Sequence, residues 1–253
     1  MRVLLCGFGG YMGKEVQKTA RKPENHMEIV GGIDACFEGE AQVPVARSFD
    51  EARKLFPAGC ADCIIDFSHH SAACGLLAFA ADGGFPIVVA TTGHTPEELE
   101  AIRAASEKIP VFFSANMSVG IALLVKLAKI TAAAMPGAEI EIIEKHHDRK
   151  LDAPSGTAVM LAKELMTVRP DSRIVEGRSG HGKREFNDIG IHAIRMGNIV
   201  GEHEVIFGTA NQTVTLKHEA HDRALFADGA ATAAAFLVGK PAGLYDMHSL
   251  LAD

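Results

Sequence analysis

The densest chemistry in the chain lies in one run, Glu144-Lys145-His146-His147-Asp148-Arg149-Lys150-Leu151-Asp152-Ala153-Pro154-Ser155-Gly156-Thr157. Two adjacent imidazoles followed by two cations make a positive concavity beyond a strand. Imidazole is the side chain best suited to moving protons near neutral pH, and a lysine crowded by cations becomes a usable acid. After Pro154, the segment Ser155-Gly156-Thr157 opens a helix, so it offers unbonded main-chain N–H groups and two hydroxyls to a carboxylate. The same residues also read as a charged surface loop entering a helix capped by Ser155 or Asp152. Zinc fits less well, because neighbouring histidines rarely aim at one ion and no further ligand set is evident. His69-His70 and His218-x-x-His221 read as surface or strand-end histidines.

A second cluster, Gly7-Phe8-Gly9-Gly10-Tyr11-Met12-Gly13, follows an apolar strand at 3–6 and opens a helix. In that setting Gly7 permits a tight turn, Gly10 lets main-chain N–H groups approach a pyrophosphate, and Gly13 lets helix and strand pack closely. The helix start adds its positive end. The spacing is a G-x-x-G-x-x-G variant of the commoner G-x-G-x-x-G, whose third glycine would fall on Met12. Asp34 ends a second strand about 20 residues on, where a carboxylate can bond ribose hydroxyls; a solvated loop acid is the plainer alternative. Ala35 follows it, so no basic residue there receives a 2′-phosphate, which favours NADH over NADPH. Ala90-Thr91-Thr92-Gly93 and Ser114-Ala115-Asn116-Met117 are two further strand ends whose small residues leave room for a nicotinamide ring, though each also suits an ordinary turn.

The elements that must position these groups change character midway. Strands at 3–6, Glu28–Ile33, 63–67, 86–91 and 111–114 alternate with helices at 11–21, 48–56, 71–81 and 96–107. This predicts an α/β domain with a parallel sheet covered on both faces. Beyond a helix at 119–135, a strand at 138–145 sets Glu139 and Glu141 against Ile140 and Ile142, so one of its faces is wet. An Ala/Leu-rich helix follows, then strands at 189–196, 199–207 and 212–218 that read as an antiparallel set. Residues 175–187 read as a loop, and a last helix at 223–238 packs back on the first domain.

With 253 residues, 47% hydrophobic and 23% charged, the chain can bury one large or two modest cores. A formal net charge of -7 argues against a nucleic-acid surface. No secretory signal is evident at MRVLLCGFGG, and the most apolar helix carries Lys126 and Lys129, so a cytoplasmic protein off the membrane is expected. The five cysteines all precede residue 75. Cys60-Ala-Asp-Cys63 has C-x-x-C spacing but no second pair, so buried thiols are expected and no metal.

Taken in order, the stretches 7–13, 90–93, 114–120 (SANMSVG), 144–157 (EKHHDRKLDAPSGT), 195–203 (RMGNIVGEH) and 243–247 (GLYDM) resemble the dihydrodipicolinate reductase (4-hydroxy-tetrahydrodipicolinate reductase) family of diaminopimelate and lysine biosynthesis. The resemblance covers nearly the whole chain, and 144–157 is its specific part. It implies a Rossmann-type domain from 1–117 plus 223–253. Between them lies an inserted α+β substrate and tetramerisation domain, 118–222, with a mixed, largely antiparallel sheet. It implies His146 as proton donor and acceptor, Lys150 as second donor, and His147, Gly156 and Thr157, beside Ser155, on substrate carboxylates. Gly7, Phe8, Gly9, Gly10, Tyr11, Met12, Asp34, Ala90, Thr91, Thr92, Ser114, Ala115, Asn116 and Met117 would contact NADH or NADPH. Some relatives carry a basic residue where this chain has Ala35, and Lys14 is a candidate substitute. The expected partners are a small dicarboxylate substrate and the other copies of a homotetramer, with no nucleic acid and no membrane. Two rivals remain. A semialdehyde dehydrogenase that forms a thioester needs a nucleophilic cysteine, and none follows Cys74; a non-catalytic nucleotide sensor would have no use for His146 and Lys150.

Overall fold

The computed structural model describes residues 1–252. It divides into two compact units, residues 1–118 with 224–253, and residues 119–223. The first unit starts β1 (Arg2–Cys6), α1 (Tyr11–Ala20), β2 (Glu28–Ile33), β3 (Val45–Ala46), α2 (Phe49–Leu55) and β4 (Cys63–Asp66), then continues α3 (Ala73–Gly83), β5 (Ile87–Val89), α4 (Pro96–Ser106) and β6 (Pro110–Phe113). These strands lie in the order β3-β2-β1-β4-β5-β6, all parallel. Parallel neighbours need crossovers, which cover both faces, so the strands read as apolar runs. Val3, Leu4, Leu5, Ile64 and Ile65 are all fully buried. Each contributes about 1.5–3 kcal/mol relative to exposure. One face packs Leu4, Ile64, Ile87 and Val111 against Ala52, Leu76, Phe79 and Ile102 of α2, α3 and α4. Ser48 caps α2 by accepting from the Glu51 N–H, and Thr95 and Glu98 form a reciprocal capping box ahead of Pro96.

The second unit contains α5 (Val119–Ala134), β7 (Glu139–His146), α6 (Gly156–Met166), β8 (Arg173–Glu176), β9 (Asp188–Arg195), β10 (Gly201–Gly208) and β11 (Thr213–Ala220). Its sheet runs β11-β10-β7-β9-β8. The sheet is mixed, but the expected antiparallel set of three strands is a pair. β10 is antiparallel to β11 and β7, while β9 lies on the other side of β7, parallel to it and to β8. Alternation fixes which face a side chain takes, not the direction of the neighbouring strand. β8 also claims the start of the expected loop, and Arg184 ties the remainder to the sheet through the carbonyl of Ile140 and the carboxylate of Glu141. Ile140, Ile142, Ile189, Ile191, Val205 and Phe207 face α5 and α6. The opposite face is charged: Glu141 meets His192 at 2.9 Å, and Lys145 meets Glu202 at 3.1 Å and Glu204 at 3.2 Å.

The chain then returns to the first unit as α7 (Ala224–Leu237), β12 (Gly243–Tyr245) and α8 (Met247–Leu250). β12 pairs with β6 and makes the sheet seven-stranded. On α7, Asp228 accepts from Thr19 Oγ1 at 2.8 Å. A Cβ at Gly229 would fall 1.7 Å from the Met117 carbonyl oxygen, so only glycine allows that approach. The short β3 and β12 were not anticipated, since two or three residues carry no readable period. Among the described residues, no helix is long and apolar enough to cross a membrane.

Candidate active site

The first unit presents a cleft of about 750 Å³ at the point where strand order reverses between β1 and β4. Gly7, Gly9, Gly10 and Asp34 line it. Gly7 has φ +79°, and a Cβ there would sit 2.5 Å from the Phe67 carbonyl oxygen. A Cβ on Gly13 would meet the Gly7 carbonyl at 2.1 Å. These two glycines therefore shape the turn by what they lack. Gly10 is the N-cap of α1 and has no side chain to satisfy the helix's first N–H groups. Asp34 accepts from the N–H of Gly9 at 2.8 Å and of Cys36 at 2.9 Å, which clamps its carboxylate beside the turn.

The other expected nucleotide contacts divide. Tyr11 and Met12 begin α1. Phe8 is buried, edge-on to Phe37 at 5.4 Å. Ala90, Thr91 and Thr92 follow β5, and Ser114, Ala115 and Asn116 follow β6, at the carboxyl edge of the sheet. Met117 is 2% exposed, with its carbonyl packed on Gly229; its visible part is in packing. Thr91 Oγ1 donates to Asp66 at 2.8 Å, and Ser68 donates to the same carboxylate through N–H and Oγ. Burial pushes the Asp66 carboxyl up. Sequence reasoning gave Asp66 no part, nor Arg47, which leaves β3 and lines the cleft with Lys14. Cys63 of the C-x-x-C pair is buried, its thiol pushed up to about 12, which opposes thiolate chemistry.

The second unit builds its site on paired charges. Glu144 shares the inward face of β7 with Ile140 and Ile142 and is wholly buried. It accepts from His146 Nδ1 at 2.6 Å, from Arg195 Nη1 and Nη2 at 2.8 and 2.7 Å, and from the Ser155 N–H at 2.9 Å. Against the cost of burial, His146, Arg195 and Ser155 hold its carboxyl down at about 2. His203 on β10 packs edge-on to His146 at 5.2 Å and meets Ser155 Oγ at 3.1 Å. Burial and the neighbouring His146 push His203 down to about 4, so it is neutral at pH 7.

Ser155 therefore departs from expectation as an open carboxylate donor. Its N–H is spent on Glu144, and its hydroxyl accepts from the Ala158 N–H and meets His203. It is the cap of α6. A Cβ on Gly156 would meet nothing within 4 Å, so the helix start is open at that point. The Asp152 carboxylate lies 2.7 Å from Lys150 Nζ and accepts from the Gly156 N–H, and both contacts lower its pKa. A carboxylate already occupies the place where one was expected to bind. The His147 N–H donates to Ile199 O at 2.7 Å, while its buried ring Nδ1 has no protein partner. Burial, then Arg149 and Arg223, keep that ring's pKa low. His146, His147, Lys150, Gly156 and Thr157 all fall in this unit. The sequence reading missed Glu144 and Arg195 as parts of the site, although alternation along β7 already set Glu144 in phase with Ile140 and Ile142.

Comparison with known proteins covers both units. Residues 1–117 match the family model for the N-terminus of dihydrodipicolinate reductase, and residues 120–251 match that for its C-terminus. A 4-hydroxy-tetrahydrodipicolinate reductase of Caldanaerobacter subterraneus subsp. tengcongensis is 44% identical, covering 99% of this chain and 98% of the relative. One from Clostridium novyi is 42% identical, again over 99% and 98%. A dipicolinate-bound dihydrodipicolinate reductase from Paenisporosarcina sp. TG-14 superposes with a TM-score of 0.82 at 27% identity, covering 98% of each chain. An amine dehydrogenase from Mycobacterium smegmatis, at TM-score 0.65 and 9% identity over 99% of this chain and 95% of its own, shares the fold alone.

Proposed function

Since the chain belongs to the dihydrodipicolinate reductase family, we propose that it reduces 4-hydroxy-tetrahydrodipicolinate to tetrahydrodipicolinate in diaminopimelate and lysine biosynthesis. The reaction takes up one hydride and one proton and releases water. One observation carries this reading. An imidazole seated on a buried carboxylate, and an ammonium already paired with a carboxylate at an open helix start, occupy one unit of a chain whose other unit has a glycine cradle.

The residues of the first unit fit a nicotinamide dinucleotide. Gly7, Gly9 and Gly10 admit a pyrophosphate against the start of α1, and Asp34 stands beside them for the adenosine ribose. When bound, the nicotinamide supplies the hydride. NADH is the preferred donor, because Ala35 offers a 2′-phosphate no charge; NADPH use rests on Arg47 and Lys14. Gly156 and Thr157 N–H groups, with His147, hold the substrate carboxylates. Lys150 exchanges Asp152 for one of them and donates a proton. His146 presents Nε2 as proton donor and acceptor. Orientation of the ring contributes several orders of magnitude, and general-acid help about 100- to 10,000-fold. The charged face of the five-stranded sheet is the surface for assembly into a homotetramer. The five free thiols agree with a cytoplasmic setting.

The test couples the purified protein to the synthase reaction that forms the substrate and follows absorbance of the reduced nucleotide. Consumption that depends on synthase product supports the assignment. No consumption with either nucleotide, while nucleotide still binds, makes the protein a sensor instead.

A further inference from the structure

We propose that Glu144 is a positioning residue: it dictates which nitrogen of His146 meets the substrate and fixes that imidazole to the start of the carboxylate-binding helix. The proposal rests on the reading of His146 as the proton donor, and its geometry is specific. One wholly buried carboxylate spans three elements. Oε2 takes the Nδ1 proton of His146 on its own strand, both oxygens take the fork of Arg195 from β9, and Oε1 takes the Ser155 N–H ahead of α6.

Three consequences follow. An ionised carboxylate can only accept, so Nδ1 must carry a hydrogen and Nε2 is left for the substrate. Gly201 on β10 keeps that side clear, since a Cβ there would lie 3.1 Å from Nε2. Arg195 neutralises the carboxylate from the other side, so the buried acid need not take up a proton of its own. The Ser155 bond then carries the register: any shift of the carboxylate moves the acid and the helix start together.

Around the imidazole stand Glu144 on β7, Arg195 on β9, His203 on β10 and His147 in the turn after β7, with Ser155 ahead of α6. His203 stays neutral and adds no competing charge at pH 7. Glu144 is therefore the anion bonded to the ring, and its place at Nδ1 sets the tautomer.

Two measurements test this. In the unaltered protein labelled with ¹⁵N-histidine, the neutral His146 ring is expected with hydrogen on Nδ1 and a bare Nε2; a neutral ring with hydrogen on Nε2 overturns the proposal whether or not any variant folds. In Glu144→Gln, kcat is expected to fall at least about 10-fold, because the amide can donate to Nδ1 and invert the tautomer. Glu144→Asp, still acceptor-only, is expected to keep hydrogen on Nδ1 while losing rate. A Glu144→Gln enzyme with an unchanged His146 tautomer and an unchanged kcat overturns the proposal. Absence of reductase activity in the unaltered protein defeats the functional reading instead, and the labelled spectrum still decides the positioning.

Discussion

The two units make their sites from opposite materials. The first is shaped by missing atoms: Gly7 and Gly13 would collide with main-chain carbonyls if they carried a Cβ. The second is shaped by paired charges, with Glu144 bonded to an imidazole, a guanidinium and a main-chain N–H. A turn shaped by glycines tolerates no added carbon at Gly7 or Gly13. A buried ionic network accepts small changes of volume but not loss of one partner, which leaves the other charge uncompensated.

The largest effect that would sharpen this contrast comes from His146→Ala and Lys150→Ala. Each is expected to lower kcat by at least about 100-fold, while fluorescence titration shows reduced nucleotide binding as before. If both retain normal turnover, the charged unit is not the chemical one.

Next come two glycines that differ only in their surroundings. Gly13→Ala puts a methyl 2.1 Å from the Gly7 oxygen, whereas Gly156→Ala puts one in open space. Gly13→Ala is expected to lose about 1–3 kcal/mol of stability and to weaken nucleotide binding. Gly156→Ala is expected to keep its Tm yet raise KM for the substrate about 10-fold, because the methyl stands where a carboxylate must approach the N–H and weakens that charge-assisted bond. Equal changes in Tm would erase the distinction drawn between a filled turn and an open helix start.

Arg47→Ser is expected to lower kcat/KM for NADPH about 10-fold and leave the NADH value alone, since a lost charge-assisted bond is worth roughly 1.5–3 kcal/mol. Parallel loss with both nucleotides would remove Arg47 from the nucleotide site.

The most gradual effect is in stability against pH. His203 falls from an ordinary 6.5 to about 4 in the folded chain, so below 6.5 the unfolded chain takes up a proton the native one refuses. Stability should fall between pH 6.5 and about 4, by up to about 1.4 kcal/mol per pH unit. Glu144 falls from 4.5 to about 2, so its contribution is complete above 4.5 and fades from there towards pH 2. In urea unfolding at stepped pH, His203→Gln should flatten the upper part of this decline. An unchanged slope would place the acid sensitivity elsewhere.

The parallel sheet was legible in the sequence because strands buried on both faces read as continuous apolar runs between helices with clear starts, as at Thr95-Pro96. The glycine cradle was legible because only one residue type fits its backbone. β9 was misplaced beside β10, since its alternation is the same for either neighbour. Glu144 stood in the quoted run but was not given a role, because its importance lies in Arg195, distant in sequence, and in the main chain at Ser155. Arg47 gave no signal at all; it follows a two-residue strand that has no period of its own.

The route of the chain has a consequence for how the protein comes off the ribosome. The first unit stays unfinished until α7 and β12 have emerged, because Gly243 must find Pro110 across the entire inserted unit. The insert has no such debt: all of its own strands and helices are contiguous in synthesis. It can assemble while its flanks are still waiting for each other, so the nascent sheet keeps a raw β6 edge exposed until β12 has emerged and seals it.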